Sequence, residues 1–279
     1  MRTARILGLL LVVLGVLGGC GGPPPESRRE SSLDRILARK TLRVGLNPGY
    51  APFEMVDVDG KMVGFDIDVA NYLAQQMGNE VKVEIEKSDW DPIIANLNAD
   101  KFDVIISGMT RTPQRALRCD FTDSYFTTGQ ALLVSRARRK PDPGLTVRDF
   151  DKPGMVVATK LGTTGEIAAR KFFQRATIKT METESDAALE VDAGRADVMV
   201  YDQPYIALRV KESPDRTFAI LEPFTKEYLA MAVRKGNSDL RDWLNLAIFE
   251  LKESGGWDSL YQKWFVTTPW LSRVKKPAS

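Results

Sequence analysis

Two rhythms of apolar and polar positions run along this chain. Leu42-Arg43-Val44-Gly45-Leu46 reads as a buried strand, and from Asp66 to Met77 apolar residues recur at Val69, Ala70, Leu73, Ala74 and Met77, the stripe of an amphipathic helix. A strand over 81–85, a helix over 89–98 and a short buried strand over 103–106 follow. After Gln130 the pattern starts again, with a strand over 131–135, a basic and Pro-rich connection at 136–144, a strand over 155–159 and a helix over 164–175. Leu240, Trp243, Leu244, Ala247, Ile248 and Leu251 mark the clearest amphipathic helix, near the end. Alternation of this kind predicts an α/β architecture with mostly parallel sheets.

One internal echo bears on organisation. Leu97-Asn98-Ala99-Asp100-Lys101-Phe102-Asp103-Val104-Ile105-Ile106 ends a helix, turns, and enters an apolar strand headed by Asp. Val191-Asp192-Ala193-Gly194-Arg195-Ala196-Asp197-Val198-Met199-Val200 does the same 94 residues later. Chance similarity between common α/β turns competes with an internal duplication. If the echo is structural, it predicts two α/β lobes of comparable size. Ligands bind beyond the carboxyl ends of strands in open α/β sheets, so Ser107-Gly108-Met109-Thr110 in one lobe and Asp202 in the other would face a shared crevice.

The amino terminus speaks to compartment. Met1, Arg2 and Arg5 precede an apolar stretch from Ile6 to Val16, too short to cross ~30 Å of hydrocarbon, which takes ~20 residues. Small residues lead to Cys20 in Leu17-Gly18-Gly19-Cys20, the pattern of a cleaved leader. Leu, two small residues and Cys resemble the bacterial lipobox, which implies a signal peptide over 1–19 and a lipid on the Cys20 thiol; an ordinary signal peptide with an incidental cysteine is the plainer alternative. The Gly- and Pro-rich run that follows buries nothing and is expected to act as a tether, with the soluble body starting at about residue 41. Removing residues 1–19 with their two arginines takes the formal charge from +2 to 0, which gives no electrostatic reason to expect nucleic acid as a partner. The chain has no histidine and only two cysteines, so the commonest general base, the Ser-His-Asp and Cys-His arrangements and an ordinary zinc site are absent. Cys119 has no intramolecular partner once Cys20 carries lipid, and is expected to be a half-buried small hydrophobe. No cofactor is called for, and a monomer is expected.

A set of motifs then falls in order: Gly45 with Tyr50-Ala51-Pro52-Phe53; Gly64-Phe65-Asp66-Ile67-Asp68-Val69 with Leu73-Ala74 and Met77; Asp103 to Thr110 with Arg115; Leu161-Gly162-Thr163-Thr164-Gly165; Gly194-Arg195-Ala196-Asp197; Asp202; and Gly256-Trp257 with Lys263-Trp264-Phe265. This series, over roughly residues 41–267, resembles the family 3 bacterial solute-binding proteins. The resemblance implies the two-lobed periplasmic-binding-protein fold of type II, two α/β lobes joined by a double-crossover hinge. Lobe 1 is expected over 41–131 and 229–272, and lobe 2 over 132–228. It also implies capture of a polar amino-acid-like ligand and delivery to the membrane subunits of an ATP-driven permease, with hinge closure as the signal.

The candidate site residues carry their own chemistry. A free amino acid presents a carboxylate and an ammonium, and a closed cleft must pair both, because an unpaired buried charge costs several kcal/mol. Arg115 is expected to fork onto the carboxylate, unless it makes a surface ion pair. Thr163 and Thr164 would approach that carboxylate from the other lobe at a helix N-terminus, or merely cap the helix. Gly108 and Thr110 would offer backbone groups and a hydroxyl, against an ordinary strand-end turn. Asp202 is the expected ammonium acceptor, against a helix N-cap. By resemblance, Tyr50 and Trp90 sandwich the ligand's side chain, against core packing. Asp66 and Asp68 are expected to cap the helix they open. Many members selective for basic amino acids carry an acid two positions after the first-strand glycine. Asn47 stands there in this chain, so polar uncharged ligands are favoured over basic ones, although Glu54 or Glu166 would restore a negative charge. An enzyme on the same scaffold, of the cyclohexadienyl dehydratase kind, and a ligand-sensing receptor component are the rival readings.

Overall fold

A computed structural model describes residues 31–273. The expected leader and Cys20 lie outside the described residues. In chain order, the first part comprises α1 (Ser32–Arg39), β1 (Thr41–Leu46), a small hairpin of β2 (Met55–Val56) and β3 (Met62–Val63), α2 (Phe65–Met77), β4 (Lys82–Lys87), α3 (Ile93–Asn98), β5 (Val104–Ile105), α4 (Pro113–Ala116) and β6 (Cys119–Thr128). The middle comprises β7 (Gln130–Ser135), β8 (Val156–Lys160), α5 (Thr164–Phe172), β9 (Thr177–Met181), α6 (Glu184–Asp192), β10 (Val198–Asp202), α7 (Gln203–Glu212) and β11 (Thr217–Ile220). The chain then returns through β12 (Glu227–Arg234) to α8 (Ser238–Glu253) and α9 (Gly256–Tyr261).

These strands form two five-stranded sheets with matching plans. In the first, the order is β4-β1-β5-β12-β6, with β1 parallel to β4 and β5 and β12 antiparallel to β5 and β6. In the second, the order is β11-β7-β10-β8-β9, with β8 parallel to β9 and β10 and β7 antiparallel to β10 and β11. The protein is therefore a two-lobed α/β molecule. The chain changes sheets between β6 and β7 and again between β11 and β12. The two crossings lie side by side: the Gln130 N–H donates to Thr225 Oγ1 at 2.9 Å and the Phe224 N–H to the Gln130 carbonyl at 3.0 Å. Gly129 sits between them because a Cβ there would press into the Thr225 carbonyl oxygen.

Apolar burial holds each lobe together. Leu42, Val44 and Leu46 of β1 are fully buried, and α8 lays Leu240, Leu244 and Leu251 inward. Each such side chain contributes about 1.5–3 kcal/mol. Phe53, Phe65, Phe126 and Phe265 make a contiguous aromatic cluster, with ring centroids 4.9–6.0 Å apart.

The echo has a structural basis. Asp100 and Gly194 both take left-handed backbone angles, φ +60° and +67°, one residue past the C-caps of α3 and α6. Lys101 N–H donates to the Asn96 carbonyl at 3.1 Å, as Arg195 N–H does to the Glu190 carbonyl at 2.8 Å, the same helix-ending turn. The two aspartates also act alike. Asp103 Oδ2 accepts the Arg43 N–H at 2.9 Å, and Asp197 Oδ2 accepts the Val156 N–H at 2.7 Å, each stapling its strand to the neighbouring one.

Some expectations need correction. Residues 32–39 are helical rather than part of a tether reaching residue 40: Ile36 is fully buried, and the Ser32 hydroxyl accepts from Arg234 and Asn237. The helix expected from residue 89 begins at Ile93, since Pro92 disfavours helical geometry in the residue before it. Helix α5 stops at Phe172, short of 175. Asp66 and Asp68 do not cap α2, whose N-cap is Gly64 without a side-chain bond. Asp66 instead accepts from Tyr125 and Gly108, and Asp68 from Lys263 and Trp264. Cys119 is fully buried rather than half-buried; its Sγ donates to the Arg115 carbonyl at 3.3 Å, and burial pushes its thiol up to about 11.

Candidate functional site

The carboxyl ends of β1, β5, β8 and β10 converge on the gap between the sheets, where a cavity holds about 370 Å³ of atom-free space. Asn47, Tyr50, Trp90, Gly108, Thr110, Arg115, Thr163, Thr164 and Asp202 all line it, so the nine candidates come together. Glu54, Ser107, Lys160, Gly165 and Tyr201 complete the wall.

Arg115 projects from the one-turn helix α4, which opens with Pro113 after the Thr112 cap. Its Nη1 donates to the Thr110 carbonyl at 2.7 Å and its Nη2 to the Gly162 carbonyl of the opposite lobe at 3.3 Å. It makes no surface ion pair, and no carboxylate of the described residues forms a salt bridge with it. The guanidinium lies 5.1 Å over the Trp90 ring, and burial pulls its pKa below the usual value. A guanidinium has five N–H donors. Two are engaged, and the others remain for a carboxylate.

Asp202 sits at the N-cap position of α7 but does not cap it: no side-chain cap bond is made. Its Oδ2 accepts the Tyr50 hydroxyl at 2.7 Å across the cleft, and its Oδ1 accepts Gln130 Nε2 at 2.7 Å. Burial pushes the Asp202 carboxyl up to about 7, with Glu227 adding repulsion, while Tyr50, Arg115 and Gln130 act the other way. A cation brought to Asp202 would restore the ionised form.

The threonines divide their work. Thr163 is the N-cap of α5, accepting the Glu166 N–H at 3.3 Å and donating to the Lys160 carbonyl at 2.7 Å, so its hydroxyl is occupied. The Thr164 hydroxyl stands 3.4 Å from the Thr110 hydroxyl of the other lobe. The Gly108 N–H is not free for a ligand, because it already donates to Asp66 Oδ2 at 2.7 Å. Its contribution is room: φ is +49°, and a Cβ there would run into the Tyr50 ring. Tyr50 stacks on Phe53, with centroids 4.7 Å apart, and meets Tyr201 edge-on. Trp90 Nε1 donates to the Gly162 carbonyl at 3.0 Å, another bond between lobes.

Two contributors, Gln130 and Lys160, were not anticipated from the sequence, while Ser107, expected to face the crevice, takes its place in the wall. Gln130, at the first sheet crossing, orients Asp202. Lys160 donates to Glu184 Oε2 at 2.7 Å and to Asn47 Oδ1 at 2.6 Å. Ser107 links the Asn47 N–H at 3.0 Å to Glu54 Oε1 at 2.6 Å. Burial, reinforced by Asp66, pushes Glu54 well above the carboxylate range, and burial pushes Asp66 up to about 7. Glu54 Oε2 has no hydrogen-bond partner among the described residues. The upward shift disfavours a negative charge on Glu54, and Glu166 is engaged by the Gly162 N–H and Arg170. Among the described residues no group of three His, Cys, Asp or Glu is placed to hold a metal, and no helix is long and apolar enough to cross a membrane.

Two α/β lobes with a polar cleft between them define a bilobal binding protein. The chain belongs to the bacterial extracellular solute-binding proteins, family 3, whose model matches residues 42–267. It is 32% identical over 253 residues to a probable histidine-binding protein of Neisseria gonorrhoeae, covering 89% of this chain and 90% of that one. Its fold is similar to a putative ABC-transporter binding component of Wolinella succinogenes complexed with lysine, with TM-score 0.79, 40% identity and coverage of 84% and 100%. It is also similar to a reconstructed ancestral amino acid-binding protein, a precursor of cyclohexadienyl dehydratase, with TM-score 0.77, 43% identity and coverage of 84% and 99%.

Proposed function

We propose that this protein is the substrate-binding lipoprotein of an ABC importer, holding one free amino acid in the interlobe cavity and presenting it to the permease. The observation that carries this reading is the pairing of Arg115 from one lobe with Asp202 from the other on a single cavity. Arg115 would grip the α-carboxylate with its free N–H groups, joined by Thr110 and by the start of α5 at Thr164. Asp202 would take the α-ammonium, held in place by Tyr50 and Gln130. Tyr50 and Trp90 would flank the side chain. A ligand touching both lobes favours the closed arrangement by its differential affinity for it, and the permease would read that closure.

A polar uncharged side chain is favoured over a basic one, although the lysine complex and the probable histidine-binding relative show that basic ligands occur among similar proteins. The amino terminus would hold the body outside the cytoplasm through lipid on Cys20 and the segment after it. Capture without turnover fits better than dehydration, because Asp202 is fixed by Tyr50 and Gln130 where an ammonium would sit. The test is a thermal-shift panel of the standard amino acids. At ~100 times its dissociation constant a true ligand stabilises by ~2.7 kcal/mol, or roughly 5–11 °C at ~2–4 °C per kcal/mol for a domain of this size. No shift with any of them counts against the reading.

A further inference from the structure

Lys160 ends β8 with its ammonium inside the cleft rather than in solvent; its side chain is 4% exposed. The apolar run Val156-Val157-Ala158 leads to it, so a cation is deliberately carried to the cavity end of a buried strand. Its partners are Glu184 Oε2 in its own lobe, at 2.7 Å, and Asn47 Oδ1 across the cleft, at 2.6 Å. Asn47 Nδ2 donates to the Ser88 carbonyl at 2.9 Å, which holds the amide oxygen toward Lys160. The Trp90 ring lies 5.6 Å from the ammonium. A carboxylate, an amide oxygen and an indole face are together a complete receptor for a cationic side chain. The protein's own ammonium fills it.

We propose that Lys160 is a built-in occupant of the side-chain subsite, so that the cavity rejects lysine and arginine and selects a neutral side chain ending in an oxygen acceptor. This rests on the amino-acid reading above. A lysine ammonium has three N–H donors, and two are engaged. The third has only the cavity to serve, and a ligand amide or hydroxyl oxygen would accept it. Charge balance agrees. A basic side chain would bring a second cation against Lys160, whereas a neutral one would not. Removing Lys160 leaves Glu184 buried and unpaired beside Asn47 Oδ1, which is a site for a cation.

The test is calorimetric titration with glutamine, asparagine, serine, threonine, glutamate, lysine and arginine on the wild type, Lys160→Met and Lys160→Arg. The wild type is expected to bind its best neutral ligand at least tenfold tighter than lysine or arginine. Lys160→Met is expected to shift that ratio at least tenfold toward the basic ligands, and Lys160→Arg to keep the wild-type order. A wild type that binds lysine or arginine most tightly overturns the assignment, as does a folded Lys160→Met with an unchanged order. Should Lys160→Met fail to fold by circular dichroism, the wild-type and Lys160→Arg orders decide alone. If the wild type binds none of the seven and shows no shift with any amino acid, the underlying amino-acid reading fails, which differs from binding in the wrong order.

Discussion

Replacing Arg115 by alanine removes the only arginine that lines the cavity among the described residues. Two of its N–H groups hold the Thr110 and Gly162 carbonyls, and the rest point to a bidentate grip on a carboxylate. In the variant a bound α-carboxylate would stay in the closed cleft without its countercharge. Truncating one partner of a buried charge pair costs about 2–5 kcal/mol. At ~1.4 kcal/mol per decade this is roughly a 30- to 4,000-fold rise in Kd. Isothermal titration with the tightest ligand of the panel measures it, and circular dichroism establishes that the variant is folded. Loss of the Thr110 bond should also lower Tm by a few degrees, because a hydrogen bond to a charged group contributes about 1.5–3 kcal/mol. Arg115→Lys, which keeps charge without the fork, should fall between the two. A folded Arg115→Ala with Kd within threefold of wild type refutes the assignment of the carboxylate to this residue.

Other outcomes follow from the same geometry. Affinity should fall as pH drops below about 7, because Asp202 is then protonated in the free protein and the ammonium loses its acceptor; titrations from pH 5 to 8 with constant affinity would contradict this. Stability without ligand should run the opposite way. Asp202 and Asp66, with folded values of about 7 against an ordinary ~3.9, bind protons that the unfolded chain has released, so Tm should decline from pH 5 to 8. With no histidine, no other side-chain type ordinarily titrates in that window. Tyr50→Phe removes the hydroxyl that lowers the Asp202 value, so the pH midpoint of binding should move up and affinity at pH 7 should fall about tenfold, from ~1.5 kcal/mol for a hydrogen bond to a charge. Gly108→Ala should destabilise the fold and weaken binding together, since its φ is +49° and its Cβ would displace the Tyr50 ring; a variant with wild-type Tm and Kd would show that the close approach is unimportant.

Local signals carried the parts of this protein that local physics determines. The turn repeated at Asp100 and Gly194 could be read because both lobes solve one problem, ending a helix ahead of a buried parallel strand, with the same left-handed residue and the same stapling aspartate. Strand β6 could not. Its residues Asp120, Thr122, Asp123 and Ser124 break the alternation, and its pairing with β12 is interrupted by register shifts. Strand β9 is polar and partly exposed at the sheet edge, which leaves no apolar signature. Helix α1 hides its one fully buried residue, Ile36, among charged neighbours. Arg115, Asp202, Thr163 and Thr164 could be found because ordered motifs surround them. Lys160 stands immediately before Leu161-Gly162-Thr163-Thr164, yet its meaning depends on Asn47, 113 residues away. An isolated lysine ending a run of apolar β residues was the available signal. Gln130 looked like a hinge position only, because its bond to Asp202 spans 72 residues.

The account turns on both poles of one zwitterion being held at once, and blocked ligands test that most directly. The tightest amino acid of the panel is titrated calorimetrically alongside its methyl ester and its N-acetyl derivative. The account predicts one site per chain and a loss of at least a hundredfold in affinity for each derivative, since each leaves Arg115 or Asp202 without its partner in the closed cleft. An ester or an N-acetyl derivative that binds as tightly as the free amino acid contradicts it.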